Sequence, residues 1–93
     1  MLEKQIEDAV CKYAKEQGVL PYKFTSPSRA SVPDRLFVGP TGRIWFCEFK
    51  REGELPTPAQ LREHHKLRLR GVSVWVVDNV TAGKLMVDQM KDM

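Results

Sequence analysis

Cysteine is scarce in this 93-residue chain: Cys11 and Cys47 stand in no C-x-x-C or C-x-H spacing. That argues against a disulfide scaffold and the common zinc patterns, and reads as two free thiols of a cytosolic protein. Long apolar runs are missing too. None approaches the roughly 20 residues that span a bilayer, and the opening MLEKQIEDAV does not read as a signal peptide. The expectation is a cytoplasmic protein with no membrane contact. Internal repeats, low-complexity tracts and linkers are absent as well, so residues 1–93 read as one domain. Nor is there a strong excess of one charge. Fifteen Lys and Arg against twelve Asp and Glu leave +3, which fits a nucleic-acid partner without requiring one. What is present is an ordinary globular composition, 42% apolar and 29% charged, which excludes disorder. A core this small is marginal, so oligomerisation is expected.

The informative stretch is Val32 to Lys50, VPDRLFVGPTGRIWFCEFK. It reads as two antiparallel strands around Gly39-Pro40-Thr41-Gly42-Arg43. Pro40 presets φ at the first turn position, and Gly42 supplies the left-handed residue that closes a three-residue loop. Gly39 then faces Arg43, and counting back puts Asp34 opposite Glu48. Opposed residues share a face with Cβ atoms about 4.5–5.5 Å apart. Two carboxylates there repel unless a cation joins them. Lys50 projects from the same face, roughly 6.5–7 Å further on. Leu36, Val38, Ile44 and Phe46 lie on the face of the acids and Phe37, Trp45 and Phe49 on the other. Both faces are apolar, as in a central sheet covered on each side. Trp45 and Phe49 therefore read as core residues rather than base-stacking platforms.

The rest of the chain supplies the surroundings. Leu2, Ile6, Ala9, Val10, Tyr13 and Ala14 recur at helical spacing, predicting a helix over 2–17 ended by Gly18. At 100° per residue Glu3 falls within that apolar arc and Glu7 just outside it. Val19 to Thr25 holds a short edge strand, given Pro21. Ser26 to Val32 is a turn-rich loop whose Arg29 could meet a phosphate. Arg51 to Pro56 is exposed loop. Thr57-Pro58-Ala59-Gln60 is a capping box opening a helix that runs to about Arg70. Arg62, Lys66, Arg68 and Arg70 make that helix basic, either a solvated face or a DNA-phosphate track. His64 and His65 point about 100° apart and read as surface or half-buried side chains. Val72 to Val77 predicts a buried strand, parallel to its neighbour after the helical crossover. Thr81 caps a last helix through Lys91, whose sparse apolar residues make it either a lid on the sheet or a dimer contact.

Pro33-Asp34 followed by Glu48-Phe49-Lys50 resembles the PD-(D/E)XK nuclease signature. With Thr57-Pro58-Ala59-Gln60 and the strand from Gly71 to Val77 in order, the chain resembles the VRR-NUC branch, the virus-type replication–repair nucleases. The resemblance covers Glu3 to about Asp78. It implies an α/β fold with an αβββαβ core and a mixed sheet flanked by helices, and it is compatible with an origin in a virus such as a phage. It further implies a Mg²⁺- or Mn²⁺-dependent DNA endonuclease. Asp34, Glu48 and the Phe49 backbone carbonyl would hold the metal, and Glu3, the better match to the family's helix-one acid than Glu7, would complete the shell directly or through a water. Gln60 would lie beside the site and Lys50 would position or activate the attacking water. Arg29, Arg51, Arg62 and Lys66 are the candidate phosphate contacts. By likeness to Holliday-junction resolvases, the substrate would be branched DNA cut by a homodimer; a flap or nicking nuclease without junction preference, and a catalytically silent nucleic-acid-binding module, are the alternative readings.

Overall fold

The hairpin sets the sheet. In the computed structural model, which describes residues 1–92, Gly39 N–H donates to the Arg43 carbonyl at 2.8 Å and Gly42 adopts φ 90°. The three-residue loop is the predicted one, and with it comes the register. Strand β2 (Arg35–Val38) pairs antiparallel with β3 (Ile44–Phe49), Leu36 opposite Phe46 and Arg35 opposite Cys47. Strand β1 (Leu20–Lys23) adds to the free side of β2, leaving Pro21 on an edge where its missing N–H costs little. Strand β4 (Val74–Val77) lies parallel to β3, so the sheet order is β1-β2-β3-β4.

Three helices complete the chain. Helix α1 (Glu3–Glu16) precedes the sheet, α2 (Pro58–Leu69) is the crossover from β3 to β4, and α3 (Val80–Lys91) follows β4. Helices α1 and α3 pack together on one face. There Phe37, Trp45, Cys47, Phe49 and Val77 meet Ile6, Val10 and Ala14 from α1 and Met86, Val87 and Met90 from α3. Gly83 allows the close approach of the two helices, since a Cβ there would collide with the Val10 side chain. Tyr13 of α1 donates its hydroxyl to Asp88 of α3, closing the same contact at its polar rim. Cys11 and Cys47 are free and buried, and burial raises both thiols above their ordinary range.

Four expectations change. The last helix, which packs on the core as a lid, is capped by Asn79, whose side chain accepts from Ala82 N–H at 2.8 Å, rather than by Thr81. Strand β4 is buried at Val74 and Val77 but lies at an edge, with Val76 37% exposed, because among the described residues no fifth strand follows it. The face carrying Asp34 and Glu48 is covered only by α2, so Ile44 on β3 and Leu20 and Tyr22 on β1 stay about half exposed. The fourth concerns α1. Glu7 is the buried acid of that helix, while Glu3 in its first turn is half-buried.

Candidate active site

Asp34 and Glu48 come together where the register puts them. Phe24 N–H donates to the Asp34 carbonyl at 3.0 Å, extending the ladder one residue past Arg35. On the other side Asp34 Oδ2 accepts from Phe49 N–H at 2.9 Å. A strand residue points its N–H and C=O to the same neighbour in an antiparallel pair, so the Phe49 carbonyl is directed to the Asp34 side as well. Glu48 is 2% exposed, and its carboxyl meets that of Asp34 closely enough to share a hydrogen bond. Burial first, and the Asp34 carboxyl second, push Glu48 up to about 8. Lys50 is buried beside them and opposes that rise.

The crossover helix closes the site from above. Thr57 Oγ1 accepts from Gln60 N–H at 3.1 Å, and Gln60 Oε1 accepts from Thr57 N–H at 2.9 Å. That box uses only the carbonyl end of the Gln60 side chain. Its amide Nε2 donates to Glu48 Oε2 at 3.3 Å, so one residue both caps α2 and steadies the carboxylate. One turn on, His64 is fully buried, with Nε2 3.6 Å from Glu48 Oε1. Glu48 Oε1 and both ring nitrogens are left without hydrogen bonds among the described residues. Burial first, then the positive charges of Arg68 and Lys50, lower the His64 pKa, so the ring is neutral at pH 7. The surface or half-buried placement expected for His64 is therefore corrected, whereas His65 is exposed. A His at i+4 from the predicted Gln60 is the signal that could have found it, because that spacing stacks both on one helix face.

Glu3 and Glu7 separate by role. Glu7 is bonded to Arg35 Nε at 2.6 Å and lies 3.7 Å from Lys23 Nζ, so it is consumed by an ion pair on the core side. Glu3 reaches the other acids electrostatically. Its pKa is raised by burial first, then by Asp34, with Lys50 pulling the other way. Among the described residues no three His, Cys, Asp or Glu side chains converge as a ligand cluster. The four candidate phosphate contacts are all exposed. Arg29 and Lys66 pair with Glu63 at 3.2 and 3.6 Å; Arg51 follows Lys50 directly, and Arg62 lies on α2.

The donor set fits a hard divalent cation. Two facing carboxylates and a backbone carbonyl are all oxygen, the orphaned Glu48 Oε1 is an acceptor in need of a partner, and water can fill the remaining positions. Without an ion, the two acids are costly neighbours.

No family model matches the chain. A curated relative, "Putative nuclease p44" of Acyrthosiphon pisum secondary endosymbiont phage 1, is 47% identical over 77 residues, 83% of each chain. A solved structure described as "VRR_NUC domain" superposes with a TM-score of 0.85 at 33% identity, covering 92% of this chain and 94% of that one. The chain belongs to the VRR-NUC family. A second solved structure, "VRR_NUC domain protein", gives a TM-score of 0.75 over 97% of this chain and 88% of its own. At 16% identity it bears on fold alone. The VRR-NUC fold is thus the expected α/β one, a mixed four-stranded sheet flanked by helices, with α3 added after the αβββαβ core. Among the described residues no helix is long and apolar enough to cross a membrane.

Proposed function

We propose that this chain is a divalent-metal-dependent DNA endonuclease that hydrolyses phosphodiester bonds. The observation that carries the reading is the meeting of Asp34 and Glu48 on one sheet face with buried Lys50 beside them. Membership of a family whose curated relative is named a nuclease supports it. Asp34, Glu48 and the Phe49 carbonyl would hold Mg²⁺ or Mn²⁺, with Glu3 accepting from a water at its edge. Bound there, the ion would supply Lewis acidity and neutralise charge growing on the scissile phosphate.

The remaining work falls to the chain. Lys50 places a compact positive charge where the attacking water and a phosphate oxygen must approach, orienting the first and stabilising the second. Gln60 fixes one oxygen of Glu48 by its amide. His64, behind the other oxygen, stands ready to donate Nε2–H once Glu48 is drawn into position, the outer-shell support that ligating carboxylates usually have. Cleavage leaves 5′-phosphate and 3′-hydroxyl ends. A catalytically silent DNA-binding module is the rival, but it would gain nothing from keeping two opposed carboxylates whose repulsion destabilises it.

Two active sites related by a two-fold axis suit a symmetric four-way junction, so a homodimer acting on branched DNA is part of the proposal. The half-exposed apolar side chains of the open sheet face support self-association. The deciding experiment incubates the protein with junction, flap, nicked and linear DNA in Mg²⁺, Mn²⁺ or EDTA. Metal-dependent cutting is expected and should vanish in Asp34→Ala and Lys50→Ala; undiminished cutting by those variants would defeat the assignment.

A further inference from the structure

A cavity of about 300 Å³ lies between α2 and the loop after β1. Its walls divide by chemistry. Phe24, Val32 and Leu67 are apolar, while Arg29, Lys66 and Arg70 bring positive charge. The one acid among them, Glu63, has a side chain only 14% exposed, whereas Arg29 and Lys66, which bond to it, keep 55% and 56% of theirs open. The acid thus lies beneath two cations and props them outward. Three cations against one acid leave the cavity a formal +2.

Its position is as telling as its charge. Phe24 pairs with Asp34 across the ladder through the 3.0 Å bond to the Asp34 carbonyl, so the two side chains share a face and stand about 5 Å apart at Cβ. The Phe24 ring meets Phe46 edge-on at 5.0 Å, which fixes it on the site's side of the sheet. Val32 lies two residues before Asp34. On α2, Gln60, His64 and Leu67 follow at i, i+4 and i+7, one helix face running from the carboxylates to the cavity over roughly 10 Å. An aromatic floor under a cationic rim, one strand position from the carboxylates, matches a molecule with one flat apolar part and one anionic part.

We infer that this cavity takes a single unpaired nucleotide of the strand being cut, its base against Phe24, Val32 and Leu67 and its phosphate among Arg29, Lys66 and Arg70. This deepens the nuclease reading and rests on it for the identity of the ligand as DNA. A paired base must first leave its stack, which costs energy, whereas a base at a flap, bulge or junction centre is already free. The cavity therefore selects DNA that is unpaired beside the scissile phosphate. Base-on-aromatic stacking makes the advantage roughly tenfold in affinity.

The test uses two duplexes of one sequence, fully paired or carrying one unpaired 2-aminopurine, bound to the full chain in EDTA so that nothing is cut. The wild type is expected to bind the unpaired duplex roughly tenfold tighter, with a change in 2-aminopurine emission as the base enters the cavity. Phe24→Leu keeps the apolar filling but removes the ring, and should lose both the preference and the emission change while melting near the wild-type temperature. Arg70→Glu, at an exposed position, should weaken binding of both duplexes. Equal affinity of the wild type for the two duplexes overturns the inference, as does a preference that survives unchanged in both variants. Parallel incubation of the wild type with both duplexes and Mn²⁺ separates the two claims. Cutting without any preference defeats the cavity alone; preference without cutting leaves the cavity standing and defeats the nuclease.

Discussion

Glu48 carries an electrostatic burden that an assay can read. Its folded-state pKa, about 8, lies above the ordinary 4.5, so folding favours its protonated form, and stability is lost as pH rises from the lower value through the higher. Glu3 is raised in the same direction. His64 acts the opposite way: its lowered pKa means that stability is lost as pH falls below its ordinary 6.5. Between about pH 6.5 and 8 the Glu48 effect therefore stands apart from that of His64. In EDTA the melting temperature should fall across that window, and Glu48→Gln should flatten the fall; scanning calorimetry at three pH values checks it. Cations displace that proton, so Mn²⁺ binding at pH 7 should release protons, visible as a buffer-dependent heat. A second prediction concerns the imidazole behind Glu48. His64→Leu should weaken Mn²⁺ binding by about 10- to 100-fold, as losing an outer-shell partner does, without lowering the melting temperature, because a buried ring with two unbonded nitrogens contributes little to the fold. Isothermal titration gives the first quantity and thermal unfolding the second. The adjacent His pair does not by itself say which ring faces the sheet; the i+4 spacing of His64 from Gln60, which places both on one helix face, is the mark that tells them apart.

Elements were readable where local chemistry decided them. Pro40 and Gly42 fixed the loop, the loop fixed the register, and the register brought Asp34 and Glu48 together. The box at Thr57 and Gln60 fixed the start of α2 in the same way. Thr57→Ala should cost about 1 kcal/mol and leave the Gln60 contact with Glu48 in place, whereas Gln60→Ala should reduce both stability and metal affinity. Chemical denaturation beside metal titration distinguishes them. What failed was whatever depended on a neighbour far along the chain. The arc of α1 did not say that Arg35 and Lys23 would draw Glu7 inward, and Thr81 looked as good a cap as Asn79 until the end of β4 was placed. The contact of Gly83 with Val10 was equally hidden, since it lies between helices at opposite ends of the sequence. Gly83→Ala should destabilise by about 1–3 kcal/mol, the usual cost of overpacking, measured by urea unfolding.

At the scale of the whole molecule the radius of gyration is 12.5 Å, close to the value of about 12 Å that the length implies. The apolar Val72–Val77 run reads as buried and parallel, and Val74 and Val77 are buried beside β3; Val76 is not, because β4 is an edge, and the count of strands is a property of the sheet rather than of any strand in it. If the open sheet face carries the proposed dimer, Ile44→Lys should shift light scattering from two copies to one at unchanged melting temperature. A sizing result of one copy for the wild type, with and without DNA, would remove the dimer.

The unequal covering of the sheet has a consequence for how such a chain can change over generations. Folding strength is concentrated on the side sealed by α1 and α3, where nearly every substitution is felt. The proposed chemistry and the proposed contact surface lie on the side that α2 only roofs, where Leu20, Tyr22, Ile44 and Val76 can vary at little cost to the fold. Lineages descended from it are free to explore new substrates and new companions while the scaffold underneath stays put.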